Sequence, residues 1–354
     1  MDEQRKKRKL EHLHYALQTE PGPLSTGWDD LHLVHQALLK TDLKDVDTSI
    51  TLFNKKLALP LIINAMTGGA KGLEKYNRVF AEIAYEFGLG MAVGSQTAAV
   101  HHKAEVYTFQ VVRKVNPQGL IFANVSAGVN PETALAAVEM IEADALQLHL
   151  NGVQELVMKE GDREFKHWAL NIEKICRLVS VPVIIKEVGN GISWEIAKKL
   201  CELGVSGIDT GGSGGTNFAS IELARNQRKN LEFLRFWGIP SAASLLEVCS
   251  LNLAVTIIAS GGITNSLEAM KALAVGADAV GIAGKFLQVF AQEGEEGLRK
   301  FICNFSDELR LMMLLTGAQN VADIRKVPVV ITGFIREWCE QRCENYGGER
   351  YGQK

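Results

Sequence analysis

Lys186 ends the apolar run VPVIIKEVG at 181–189, with Glu187 directly after it. A cation there either forms an ion pair with Glu187 or Asp209, or stabilises negative charge gathering on a bound group. Short polar residues end other apolar runs: Thr67 follows Ala65 and Met66, and Ser95 and Asn124 close two more. A second cluster is His149, Asn151, Gln154 and Glu155. A carboxylate beside amide and imidazole groups suits a magnesium ion shared with phosphate oxygens. Alone, Glu155 reads equally well as a solvated helix residue. The third cluster is Arg8, Lys9 and His12, within a basic run at 5–9. Such a run is a solvated tail, a targeting signal or a clamp for a phosphorylated ligand.

Two glycine turns add an anion site. SGGI at 260–263 precedes a helical pattern, and GIAG at 281–284 follows about 20 residues later. Phosphate needs several N–H donors converging without side chains in the way, and a helix N-terminus adds favourable partial charge. Gly261, Gly262, Ile263, Thr264, Ala283 and Gly284 are therefore expected to line a phosphate site. A reduced flavin accumulates negative charge at N1 and C2=O, and Lys186 is placed to stabilise it.

These residues must be positioned by something regular. Eight apolar runs recur, at 59–69, 88–96, 119–128, 145–151, 181–189, 205–215, 256–262 and 279–284. Their length and β-branched content fit strands buried on both faces. Helical patterns lie between them, at 73–87, 132–141, 168–178 and 194–203 among others. Pro131 opens one of these, a residue tolerated in a first helical turn. Ser266 is expected to cap another, with Gly276 as its stop. Eightfold strand–helix alternation predicts a (β/α)8 barrel as a single 1–354 domain. Its chemistry should sit at the C-terminal strand ends, where every residue named above except the arm cluster falls. Residues 1–58 read as an arm and a peripheral segment, and 286–354 as a helical extension.

Composition narrows the class. The 354 residues carry a net charge of −3, which argues against nucleic acid as a partner. No apolar run reaches the ~18–20 residues of a membrane helix. The charged N-terminus has no apolar segment behind it, so no secretory signal is expected and the cytoplasm is the expected compartment. Six cysteines occur without a CxxC pair, which points to neither a zinc site nor a disulfide framework. Cys176, Cys201 and Cys249 read as reduced core residues.

Taken together, the chain resembles the flavin-dependent type 2 isopentenyl-diphosphate isomerase family. The matching motifs run nearly end to end: RKLEHL at 8–13, NAMTGG at 64–69, GSQ at 94–96, ANVSAG at 123–128 and LQLHLNGVQE at 146–155. They continue with KEVGNGIS at 186–193, SGGTNFASIE at 213–222, SGGI at 260–263 and GADAVGIAG at 276–284. The resemblance implies FMN contacts from Ala65, Met66, Thr67, Ser95, Asn124, Lys186, Thr216, the 261–264 turn, Ala283 and Gly284. It implies substrate contacts from Arg8, Lys9 and Gln154, with His12, His149 and Asn151 nearby, and Mg²⁺ at Glu155. It implies catalytic roles for Gln154 and His149, NADPH as reductant, and a homo-oligomer. Some members carry arginine after GSQ; here Thr97 stands there, with His101 or His102 as alternatives for the missing contact.

Two rivals use the same barrel. A flavin-dependent 2-hydroxy-acid oxidase needs a histidine base and an arginine clamp near the sixth strand-end loop, and GGSGGTNF holds neither. An inosine-monophosphate dehydrogenase-like enzyme needs a cysteine in that loop, which is also missing.

Overall fold

Eight parallel strands close on one another in a computed structural model that describes residues 2–19, 21–226 and 228–343, with the side chains of 2–7 and 229 outside that description. The strands are β1 (Leu61–Ile63), β2 (Gly90–Ala92), β3 (Ile121–Ser126), β4 (Ala145–Leu150), β5 (Val183–Glu187), β6 (Gly207–Asp209), β7 (Thr256–Ser260) and β8 (Ala279–Ile282). Each pairs with its sequence neighbours, and β8 pairs with β1 to close the ring. The fold is the predicted (β/α)8 barrel. The regular strands are shorter than the apolar runs, because the glycine-rich ends turn out of the sheet to form the loops.

Side chains alternate inward and outward along each strand, with a period of two. Ile62, Ala92, Phe122, Ala145, Ile184, Ile258 and Ala279 form an apolar layer inside the barrel. A hairpin of Ile50–Leu52 and Lys55–Leu57 packs Leu52, Leu57 and Phe53 against that layer. Two residues further along the strands, the inward positions become polar: Asn64, Asn124, Gln147, Lys186, Asp209 and Ser260. The barrel interior is thus apolar at its base and hydrogen-bonding towards its mouth.

Helices form where the periodicity placed them. Glu74–Phe87 ends at Gly88, whose left-handed φ of 61° closes the helix. Pro131 is the first residue of Pro131–Met140, behind an Asn130 cap that accepts from Thr133 N. Trp168–Leu178 matches the expected span. One cap differs. Asn265, not Ser266, caps Ser266–Ala274 by accepting from Glu268 N, while Ser266 is buried in the first turn and donates to Glu308. Both residue types cap helices, so the sequence alone left the choice to one residue's difference in backbone conformation.

The peripheral pieces are more connected than expected. The helical run Gly284–Thr316 breaks at Gly294 (φ 68°, ψ −159°), and its first part follows β8 as the eighth barrel helix. The boundary at 286 therefore falls inside a helix. Leu31–Leu33 pairs antiparallel with Val329–Ile331, so the two peripheral regions share a small sheet. Residues 344–354 lie outside the described residues.

Candidate active site

Parallel strands bring all their C-terminal ends to one mouth. Lys186 Nζ lies 3.1 Å from Asp209 Oδ2 and donates to Ser260 Oγ at 3.1 Å. Ser260 Oγ also donates to Asp209 Oδ1. Of the two partners anticipated for Lys186, Asp209 is the one it meets. Glu187 turns away and accepts from Gly189 N and Asn190 N. Burial pushes the Glu187 carboxyl up to about 7, against the pull of those N–H groups and of Lys186.

Asp209 also accepts from Asn64 Nδ2 at 2.7 Å. From there amides continue across the barrel. Gln147 Nε2 donates to Asn64 Oδ1, Asn124 Nδ2 to Gln147 Oε1, and His149 Nδ1 lies 2.9 Å from Asn124 Oδ1. Burial is the largest cause that pushes the His149 imidazole down to about 4, helped by Lys186, Lys9 and Arg8. His149 is therefore neutral at neutral pH. Asn64 and Gln147 were not anticipated as functional. Their signal was present: a polar residue at an inward position, two residues before Met66 and His149 respectively. A Cβ on Gly281 would lie 2.5 Å from Asn64 Nδ2, so the glycine there gives the amide its room.

The N-terminal arm folds as helix Asp2–Gln18 and reaches this mouth. Lys9 Nζ donates to the carbonyls of Gly68 (2.5 Å) and Ser95 (2.7 Å), just past β1 and β2. Burial and the neighbouring Arg8 charge push the Lys9 amine down to about 7, partly opposed by Glu105. Arg8 approaches Met158 Sδ at 3.6 Å. His12 Nε2 lies 2.6 Å from Glu222 Oε1. The arm and strand-end clusters, far apart in sequence, thus meet. The side chains of Arg5, Lys6 and Lys7 lie outside the described residues.

Glu222 is a hub that sequence reasoning missed as a site residue. Its side chain is fully buried and also accepts from Arg225, Asn226 and Gln154 Nε2. Burial alone would raise its carboxyl. The His12 and Arg225 contacts reverse this and hold it below the usual range. Gln154 is held between Glu222 and Asn151 Nδ2, 3.3 Å from each. Glu155 Oε1 accepts from Asn151 Nδ2 at 2.8 Å, and Oε2 accepts from Asp162 N. Asn151 Oδ1 is buried without a hydrogen-bond partner. Among the described residues, no group of three or more His, Cys, Asp or Glu is placed to hold a metal. A cation here would need oxygen from its ligand as well.

Three glycine loops converge beyond β6, β7 and β8. A Cβ on Gly215 would sit 2.2 Å from Gly262 N, and one on Gly284 would sit 3.0 Å from Thr216 Oγ1. Gly261 and Gly262 have φ of 99° and 78°, a region that favours glycine. Ser266–Ala274 and Gly284–Thr316 begin beside them, and the first turn of a helix leaves N–H groups unpaired. Backbone donors from glycine turns and the Thr216 hydroxyl fit the phosphate of FMN. Thr264 N and Oγ1 both bond Glu268 Oε2, so that residue's donors are engaged. Ala65 N is likewise held by Asn64 Oδ1. Thr97 Oγ1 lies 3.2 Å from Ser95 Oγ; His101 is exposed and His102 half-buried. A cavity of about 470 Å³ lies elsewhere, lined by Asp47, Glu86, Cys303 and Arg310 among others, and includes none of the anticipated residues.

Residues 117–330 match the model of the FMN-dependent dehydrogenase family. An isopentenyl-diphosphate delta-isomerase of Moorella thermoacetica is 45% identical over 338 residues, covering 96% of this chain and 97% of the relative. One from Bacillus licheniformis is also 45% identical, over 96% of this chain and 97% of its own. One from Listeria welshimeri is 40% identical over 94% of each. Among solved structures, a mandelate oxidase aligns with a TM-score of 0.67 over 94% of this chain and 99% of its own, at 17% identity. Another gives 0.64 over 91% and 92%, also at 17%. At that identity the likeness speaks for the barrel alone. Identity of 45% sustained across 96% of the chain speaks for more, and the chain belongs to the isopentenyl-diphosphate delta-isomerase family, on an FMN-dependent dehydrogenase domain.

Proposed function

We propose that this chain interconverts isopentenyl diphosphate and dimethylallyl diphosphate by a 1,3-allylic proton shift. One proton is added at one end of the allylic unit and one is removed from the other, without net redox change. The observation that carries this reading is Lys9, an arm lysine half-buried over the ends of β1 and β2 on the same barrel mouth as the glycine cradle. Reduced FMN, held by the glycine cradle and Thr216, would supply the proton donor and acceptor. Lys186, held in place by Asp209, would face the cofactor and stabilise negative charge on it. Thr67, Ser95 and Asn124 offer short polar groups at the strand ends.

Arg8 and Lys9 bind the diphosphate, with His12 holding the arm against Glu222. Gln154, fixed by Glu222 and Asn151, orients the alkene end. Glu155 and the unpartnered Asn151 Oδ1 support a Mg²⁺ shared with diphosphate oxygens. NADPH is the proposed reductant. The exposed aromatics Phe233, Phe236 and Trp237 support a homo-oligomer, and the cytoplasm is the proposed compartment. No helix among the described residues is long and apolar enough to cross a membrane. The test is an isomerase assay on photoreduced or NADPH-reduced enzyme with isopentenyl diphosphate and Mg²⁺. A yellow, folded, reduced enzyme that forms no dimethylallyl diphosphate would overturn the reading.

A further inference from the structure

The amides crossing the barrel run in one direction. Asp209 receives Lys186 Nζ, Ser260 Oγ and an Asn64 amide on its two oxygens. A carboxylate only accepts, so Asn64 must turn its NH₂ towards it. Asn64 Oδ1 then accepts from Ala65 N and faces Gln147, which must present its own NH₂. Gln147 Oε1 faces Asn124, which must present Nδ2. That leaves Asn124 Oδ1, an acceptor, 2.9 Å from His149 Nδ1. Nδ1 must therefore carry the proton of the neutral ring. Amide orientation and imidazole tautomer are fixed here by the hydrogen-bond network, from a carboxylate three amides away.

We propose that Asp209 is a positioning residue that, through Asn64, Gln147 and Asn124, sets His149 as the Nδ1–H tautomer and leaves Nε2 as a bare acceptor. Nε2 lies on the side of the ring away from Asn124. A ligand reaching it meets a lone pair, so His149 selects a hydroxyl or N–H donor and does not itself donate to an ionised phosphate oxygen. The relay holds whatever ligand occupies the mouth, so it stands or falls separately from the proposed isomerisation. Register places it: Asn124 is opposite Gln147, His149 opposite Lys186, and Lys186 opposite Asp209 in adjacent strands. Gln147 and Asp209 are fully buried, so water does not compete for their orientations.

Lys186 Nζ and Asn64 Nδ2 meet the same oxygen, Asp209 Oδ2, while Ser260 Oγ meets Oδ1. In Asp209→Asn an oxygen kept at the Oδ2 position still accepts from both, so the relay should keep its direction. Asp209→Leu removes that acceptor and leaves the Asn64 NH₂ without its partner, so the orientation of the amides beyond it is no longer fixed from this end.

The test is ¹⁵N NMR of the histidine ring nitrogens in FMN-loaded full-length enzyme at neutral pH, with His149 assigned by its loss in His149→Asn. Wild type should show a pyrrole-like Nδ1 and a pyridine-like Nε2. Asp209→Asn should keep this pattern, and Asp209→Leu should give a mixture. Gln147→Met, which cuts the relay, should give a mixture. A wild-type ring protonated on Nε2 overturns the proposal without any variant. So does folded, FMN-loaded Asp209→Leu that keeps the single wild-type tautomer. Should that variant fail to fold, an unchanged single tautomer in Gln147→Met overturns it equally.

Discussion

Lys9 Nζ donates to the backbone carbonyl of Ser95 at 2.7 Å, across 86 residues of sequence, and so pins the arm helix over the barrel mouth. Lys9→Met keeps the length of the side chain and removes its charge. A hydrogen bond to a charged group is worth about 1.5–3 kcal/mol. The expected result is a rise in KM for the diphosphate on the order of 10–100-fold, with the FMN spectrum unchanged. Deleting residues 1–12 should have a larger effect of the same kind. Steady-state kinetics with wild-type KM and turnover in the truncated enzyme would reduce the arm to a solvated appendage.

The depressed Lys9 amine has a linkage consequence. Its ordinary value of 10.5 falls to about 7 in the docked arm, chiefly through burial. Between those values the docked arm binds fewer protons than a free one, so docking of the ligand-free arm strengthens as pH rises from about 7 towards 10.5. An anionic diphosphate favours the charged amine and raises it again. Ligand binding near pH 7 should therefore take up to about half a proton. Calorimetry of diphosphate binding in buffers of different ionisation enthalpy measures this uptake. Lys9→Met should remove it, and equal uptake in the two proteins would assign the proton elsewhere.

Gly262 tests the cofactor phosphate site. Its φ is 78°, and a Cβ there would meet Thr26 Cγ2 at 2.5 Å. Gly262→Ala carries that strain alone; Gly262→Asp adds a negative charge at the cradle. Flavin retention after desalting should fall in the alanine variant and vanish in the aspartate variant. Full flavin occupancy in folded Gly262→Asp would move the phosphate away from this turn.

Glu155→Gln keeps size and the contact with Asn151 but removes a negative charge. FMN binding and fold should survive. Apparent substrate affinity should fall on the order of 10–100-fold, or roughly 1.4–2.8 kcal/mol. The magnesium requirement should shift to higher concentration. The measurement is a magnesium titration of isomerase activity in both proteins, and superimposable curves would remove Glu155 from the metal.

Glu187 predicts the pH dependence of stability. Its carboxyl titrates at an ordinary 4.5 when unfolded and at about 7 in the fold, because burial disfavours its charge. Between these values the folded state binds more protons, so stability falls as pH rises from 4.5 to 7 and then levels off. Glu187→Gln can still accept from Gly189 N and Asn190 N. Above pH 7 it should be the more stable protein, by up to about 3 kcal/mol. Thermal melts of both proteins at pH 5 and pH 8 decide the matter; a gap that does not widen at pH 8 would show that Glu187 stays ionised at little cost.

The barrel was legible because it is written locally. Apolar runs such as VPVIIKEVG, separated by helical patterns, specify strands buried on both faces, and parallel strands leave one mouth where loop residues must gather. The positions of Lys186, His149, Gln154 and the glycine turns at that mouth follow from strand ends alone. Lys186 had two candidate partners, Glu187 beside it and Asp209 in the next strand. Only the register of β5 against β6 chose Asp209, while the turn after β5 took Glu187 for its own N–H groups. Glu222 lies 210 residues from His12, and Leu31–Leu33 about 300 from Val329–Ile331; no local pattern encodes such pairings. Sequence determined which side chains reach the mouth, because strand period and loop position are short-range properties. Tertiary structure decided which of them touch, because hydrogen-bond partners depend on the closure of the barrel and the docking of the arm. It also turned a set of separate polar residues into a directed relay, since each amide's orientation is dictated by the neighbour that closure brings to it.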